Sequence, residues 1–139
     1  MADLKLHGFW YSSFTVREKW TLKLKGIPYE NIEEDRFNKS LQLLEYNLGY
    51  KRAPMLVHAG KPICEYMLII EYIDKTWPQN PPLAIDPYEK ALIRFWVKYS
   101  DDLSTAVGAL FRSNNVEERE NDKDNICKHL KVVEDQCLK

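Results

Sequence analysis

The chain has 139 residues, 45% hydrophobic and 29% charged, which suits one ordinary domain or a compact domain with a helical appendage. A net charge of −1 excludes the basic field that attracts nucleic acid or an anionic membrane surface, and no apolar run approaches the roughly 20 residues that cross a bilayer. Cys64, Cys127 and Cys137 are scattered and Met1-Ala2-Asp3-Leu4 carries no leader pattern, so the expectation is a cytoplasmic protein without a disulfide framework.

Leu4 to Phe9 alternates Leu4, Leu6 and Gly8 with Asp3, Lys5 and His7, which predicts a half-buried strand. Ser12 and Ser13 stand where a helix cap belongs; Val16, Trp20 and Leu24 recur at four-residue steps, and Gly26 closes the run. Tyr29 to Glu33 reads as a second strand, and Asn38 to Tyr46 as a short helix capped near Ser40. Pro54 to His58 and Lys61 to Cys64, joined across Ala59-Gly60, predict a hairpin. A helix follows from Glu65-Tyr66 to Trp77-Pro78, with Leu68, Ile69, Tyr72 and Ile73 on one face.

Pro78, Pro81, Pro82 and Pro87 crowd the next segment, which is linker chemistry. Asp86 and Pro87 then open a helix whose Tyr88, Ala91, Leu92, Phe95, Trp96 and Tyr99 keep helical spacing. After a polar break around Ser113 to Asp124, Ile126, Leu130, Val133 and Cys137 form a second stripe. The expected division is residues 1–78, a linker at 79–87, and a helical part at 88–139.

Strand, helix, strand, helix, two strands and a helix, with a proline opening the third strand, is the thioredoxin-like order. Phe9-Trp10-Tyr11-Ser12-Ser13-Phe14 resembles the segment of plant tau-class glutathione transferases that places a catalytic serine between first strand and first helix. Asn38-Lys39-Ser40, Lys51-Arg52-Ala53-Pro54, Gly60-Lys61-Pro62-Ile63-Cys64-Glu65, Glu71-Tyr72-Ile73-Asp74, Asp86-Pro87-Tyr88 and Arg94-Phe95-Trp96 resemble later motifs of that family in order and spacing. The resemblance implies an α/β thioredoxin-like N-terminal domain (βαβαββα) followed by an all-α C-terminal domain. The family's helical domain runs on for several helices where this chain ends at Lys139, so that second domain is expected to be truncated.

The resemblance also implies chemistry. Glutathione would be the cosubstrate, conjugated to electrophilic hydrophobic small molecules in detoxification, with no metal and with a homodimer or a related subunit as partner. Ser12 aligns with the hydroxyl that holds the glutathione thiolate; a plain helix cap is the alternative for Ser12 or Ser13. Proline is the family's residue where Ser13 stands, which leaves Ser13 as the substitute hydroxyl. Ala53, before a cis Pro54, would pair its backbone with the cysteinyl part. Lys39 and Arg52 would meet the glycyl carboxylate, and Glu65 with residue 66 the γ-glutamyl end. Phe9, Phe14 and Phe111 would wall the electrophile pocket, with Ser104 and Gly108 on the helical face of Phe111.

Tyr66 departs from the family's Glu-Ser pair, adding a ring where the ligand should lie. Two other roles therefore compete with turnover: a catalytically impaired binder of glutathione or hydrophobic ligands, and a shortened dimer partner of a full-length transferase. Cys64 is expected buried and inert, and without a Cys-x-x-Cys pair dithiol exchange lacks support.

Overall fold

The computed structural model describes residues 3–79 and 86–137, and the chain divides into two units, 1–83 and 84–139. Most of the expected linker, residues 80–85, lies outside the described residues, as does the Cys137 side chain.

The first unit runs β1 (Leu4–Gly8), α1 (Ser13–Leu24), β2 (Glu30–Glu33), α2 (Leu41–Tyr46), β3 (Met55–His58), β4 (Lys61–Cys64) and α3 (Tyr66–Thr76). This is the βαβαββα order read from the sequence. The strands form one sheet in the order β2-β1-β3-β4, with β1 and β2 parallel and the other pairs antiparallel. The β3–β4 turn works because Ala59 and Gly60 both take positive φ, +49° and +76°, as a two-residue hairpin with right-handed twist requires.

Side chains alternate across the pleat, so each face has its own core. Leu4, Leu6 and Leu56 meet Leu22 of α1 and Ile69 and Ile73 of α3. Met55 and Val57, on the opposite face, meet Leu43 of α2. With helices on both faces, β1 is not the half-buried strand its alternation suggests: His7, expected outward, is only 1% exposed.

α1 also departs from its apolar stripe. Trp20 and Leu24 lie in solvent, while Thr15, Glu18, Leu22 and Lys25 are buried. The cause is local. A Cβ on Gly8 would fall 2.2 Å from Cγ2 of Thr15, so the Thr15 side chain occupies the space that glycine leaves. With Thr15 turned inward, helical geometry carries residues 18, 22 and 25 onto the same face.

Lys25 closes the far end of this face. Its ammonium donates to the carbonyls of Trp77 at 2.5 Å and Gln79 at 3.2 Å, and Asp74 Oδ1 sits 3.1 Å away as an ion pair. A cation thus covers the exposed carbonyls beyond α3. Lys25→Met leaves a nearly buried carboxylate uncompensated and is expected to cost about 3–5 kcal/mol, most of it restored in Lys25→Met with Asp74→Leu. Urea unfolding of the three proteins measures this, and a single variant as stable as the wild type would refute it.

The second unit holds α4 (Pro87–Arg112) and α5 (Val116–Cys137). Asp86 caps α4 by accepting from the N–H groups of Tyr88 and Glu89, both at 3.0 Å. The helices run antiparallel: the Tyr99 ring meets His129 at a tilt, 5.1 Å between ring centroids, and Ser113 bonds Asp122. The expected polar break is largely helix, because α5 begins at Val116. Asn115 accepts from Glu118 N–H at 2.9 Å, and Glu117 and Glu118 occupy the favourable first turn. Ion pairs such as Lys123–Glu120 extend a helix that apolar periodicity alone could not reveal.

Candidate functional site

The sheet register brings distant segments together. His7 of β1 lies opposite Met55 of β3, and Met55 lies opposite Cys64 of β4. The end of β1, the start of β3 and the end of β4 therefore share one end of the sheet. That end carries Ser12 beyond β1, Ala53-Pro54 before β3, and Glu65-Tyr66 after β4. Glu34 arrives there too, its N–H donating to Gly8 O at 2.9 Å.

Ser12 is the N-cap of α1, half-buried, with extended backbone. Its Oγ accepts from Thr15 N–H at 3.4 Å, a long contact that uses a lone pair and leaves the hydroxyl proton able to donate. Capping and donation are thus compatible on one side chain. Ser13 is the first residue of the helix and is exposed.

The Ala53–Pro54 bond is cis, and Pro54 is buried beside the second core. The preceding segment is tied to α2 from both sides. Lys39 Nζ donates to Lys51 O at 2.8 Å, and Asn47 Nδ2 donates to Arg52 O at 2.8 Å. Lys39 and Arg52, thirteen positions apart in sequence, thus belong to one frame, with the Arg52 side chain exposed.

Glu65 precedes α3 at φ +72° and ψ 119°, a conformation that a residue with a side chain rarely adopts, and no side-chain hydrogen bond caps the helix among the described residues. Holding it there costs about 1–3 kcal/mol, and such residues cluster at ligand sites. Its carboxylate is exposed and does not cap its own helix.

Tyr66 turns its ring onto α1. Phe14 lies 5.0 Å away between centroids, and the Arg17 guanidinium sits 5.2 Å from the Tyr66 ring and 5.5 Å from Phe14. Phe14, expected in the electrophile pocket with Phe9, is therefore joined to the residue expected at the γ-glutamyl end. Phe9 instead stacks on Tyr11 at 5.5 Å. Phe111 belongs to the second unit and is 85% exposed. Cys64 is half-buried; burial pushes its thiol up, and the Glu65 charge adds to this.

Sequence reasoning missed two members of this region. Arg17 belongs to no motif of the sequence, and the one signal that could have found it is its helical spacing from Phe14. Glu34 sits in the run Glu33-Glu34-Asp35, where nothing marks one acid as buried, yet it is 6% exposed and bonded to His7 and Ser40.

Residues 2–75 match the family model for the glutathione S-transferase N-terminal domain. The chain belongs to the glutathione S-transferase family. A probable glutathione S-transferase of Nicotiana tabacum is 50% identical over 98% of this chain, and glutathione S-transferase U2 of Arabidopsis thaliana is 52% identical over 76%. The chain spans 60% and 47% of the lengths of those two relatives. Among solved structures, a tau-class transferase from mango superposes with a TM-score of 0.89 at 36% identity, over 96% of this chain and 61% of its own. Rice GST1, solved in complex with glutathione, gives 0.88 at 31% identity, over 96% and 63%. The tau-class resemblance seen in the motifs thus extends to whole-chain identity and to the fold.

Proposed function

We propose that this chain binds glutathione at the sheet end carrying Ser12, Ala53-Pro54 and Glu65, and conjugates its thiolate to electrophilic hydrophobic small molecules. The observation that supports this best is the convergence of those three segments, from three different strands, in a chain of this family. The rice relative solved with glutathione supports the same ligand.

The roles follow from the chemistry of each group. A thiol with pKa about 8.5 is mostly protonated at pH 7. Lowering that pKa by about two units takes roughly 2.7 kcal/mol. A hydrogen bond to a charged group contributes roughly 1.5–3 kcal/mol and a helix N-terminus about 0.3–1. Ser12, at the head of α1, combines both. Ala53 offers its backbone N–H and C=O to the cysteinyl part, Lys39 and Arg52 offer charge to the glycyl carboxylate, and Glu65 takes the γ-glutamyl ammonium. Phe9 and Phe14, on the segment around Ser12, provide apolar contact for the electrophile. A cytoplasmic location and pairing with a like or related subunit belong to the same reading.

Retention on immobilised glutathione, followed by turnover of a chloronitrobenzene-type electrophile, tests it. Retention without turnover would leave a glutathione binder, and loss of both would leave only a subunit-pairing role.

Tyr66 favours the impaired-binder alternative, and its effect is measurable. Tyr66→Ser supplies a short hydroxyl beside Glu65 and is expected to tighten glutathione binding about tenfold. The same change removes the contacts with Phe14 and Arg17 and should lower stability by about 1–2 kcal/mol. Titration calorimetry with thermal melting reads both. Weaker binding in Tyr66→Ser would instead make the tyrosine a glutathione contact.

A further inference from the structure

Glu34 lies just past β2, between the end of β1 and the start of α2. Its Oε1 is 2.6 Å from Nδ1 of His7, which is 1% exposed, and accepts from the Ser40 hydroxyl at 2.6 Å. Its Oε2 accepts from Ser40 N–H at 2.9 Å. Burial pushes the Glu34 carboxyl up, but the hydroxyl and N–H of Ser40, together with His7, outweigh it and hold the group below the usual carboxylate range.

Ser40 in turn starts α2, its Oγ accepting from Leu43 N–H at 3.1 Å. α2 has six residues, too few to be stable alone, so its place depends on what anchors its ends. Its far end is tied through Asn47, which accepts from Tyr50 N–H at 3.1 Å and donates to Arg52 O. Lys39, next to Ser40, bridges directly to Lys51 O. A path of bonds thus runs from the β1 core through Glu34 and Ser40 to Lys39 and the segment that leads into Ala53.

We propose that Glu34 is a positioning residue for the glycyl end of glutathione, holding Lys39 and residues 51–53 in place through Ser40. The inference rests on the proposed function, since it presumes that Lys39, Arg52 and Ala53 meet that ligand. Glu34 touches no reacting atom. Its loss therefore affects glutathione capture and leaves the chemical step at saturation intact.

Steady-state kinetics of the whole chain test this. Glu34→Gln keeps the shape and removes the charge, and it is expected to raise KM for glutathione about ten- to hundredfold. Its kcat and its KM for the electrophile should stay within about twofold of the wild type. Lys39→Ala added to Glu34→Gln should cause little further loss, because the two act along one path. Should Glu34→Gln fail to fold, Ser40→Ala and Ser40→Thr pose the same question: the alanine raises KM for glutathione and the threonine, which keeps the hydroxyl, restores it. A wild-type KM for glutathione in these variants, or an equal fall in kcat, overturns the positioning role alone. A wild-type chain that neither binds nor turns over glutathione overturns the functional reading and this role with it.

Discussion

Ser12→Ala is expected to lower kcat/KM for glutathione conjugation by about ten- to hundredfold near pH 7 and to raise the apparent pKa of the bound thiol by about one to two units. The size follows from losing one hydrogen bond to a charged sulfur. Ser12 also caps α1, so a stability effect of about 1 kcal/mol comes with the alanine and must be separated. Ser12→Asp does this. Aspartate caps a helix as well as serine, so the fold should keep its stability, but its charge repels a thiolate and activity should stay low. Ser13→Ala should be near wild type, because Ser13 is exposed and the cap position belongs to Ser12. The decisive measurement is the pH profile of kcat/KM in the four proteins. If Ser13→Ala loses activity while Ser12→Ala keeps it, the hydroxyl has been assigned one residue too early.

The chain should also grow less stable as pH rises through neutrality, and Glu18 is the cause. Its side chain is fully buried on α1, and neither carboxylate oxygen has a hydrogen-bond partner among the described residues. Burial raises its pKa from 4.5 to about 9. The folded protein therefore keeps a proton that the unfolded chain releases. The full contribution to stability is present below the unfolded value of 4.5 and is lost as pH climbs to about 9. The loss runs at about 1.4 kcal/mol per pH step, so about 3 kcal/mol is gone by pH 7. Glu18→Met, apolar and of similar length, should recover that amount near neutrality and flatten this part of the curve. Denaturant unfolding at several pH values between about 5 and 8.5 makes the comparison. Parallel curves for the wild type and Glu18→Met would sink the prediction. The two expectations oppose each other in function: a glutathione thiol ionises more readily at the alkaline pH that weakens this core.

The order of elements was legible from local signals alone. Alternation marked β1, Ala59-Gly60 marked the hairpin, and Asp86-Pro87 marked the start of α4, because strand pleat, turn chemistry and helix capping act over a few residues. The face of α1 was not legible. Val16, Trp20 and Leu24 had the spacing of a core stripe, but the close approach of Thr15 to Gly8 turned the helix so that Glu18 faces inward. α5 began ten residues ahead of its first stripe residue, because a helix held by caps and ion pairs leaves no apolar rhythm to read.

The candidate site divides the same way. Its residue types could be named from the chain, since Ser12 at a helix head, Pro54 before a strand and Glu65 before a helix each have a local signature. Their meeting could not be. It depends on the pairings His7 with Met55 and Met55 with Cys64, which are set by which faces the cores bury rather than by any single segment. The sequence by itself determined the thioredoxin-like order, the family and the hydroxyl at the head of α1. Only the tertiary structure decided that the Tyr66 ring rests on Phe14 under Arg17, that Glu34 is buried against His7 and Ser40, and that the Glu18 carboxyl is buried with no hydrogen-bond partner among the described residues. Those three outcomes arise from contacts between residues far apart along the chain, where burial and charge pairing act and local preference carries no information.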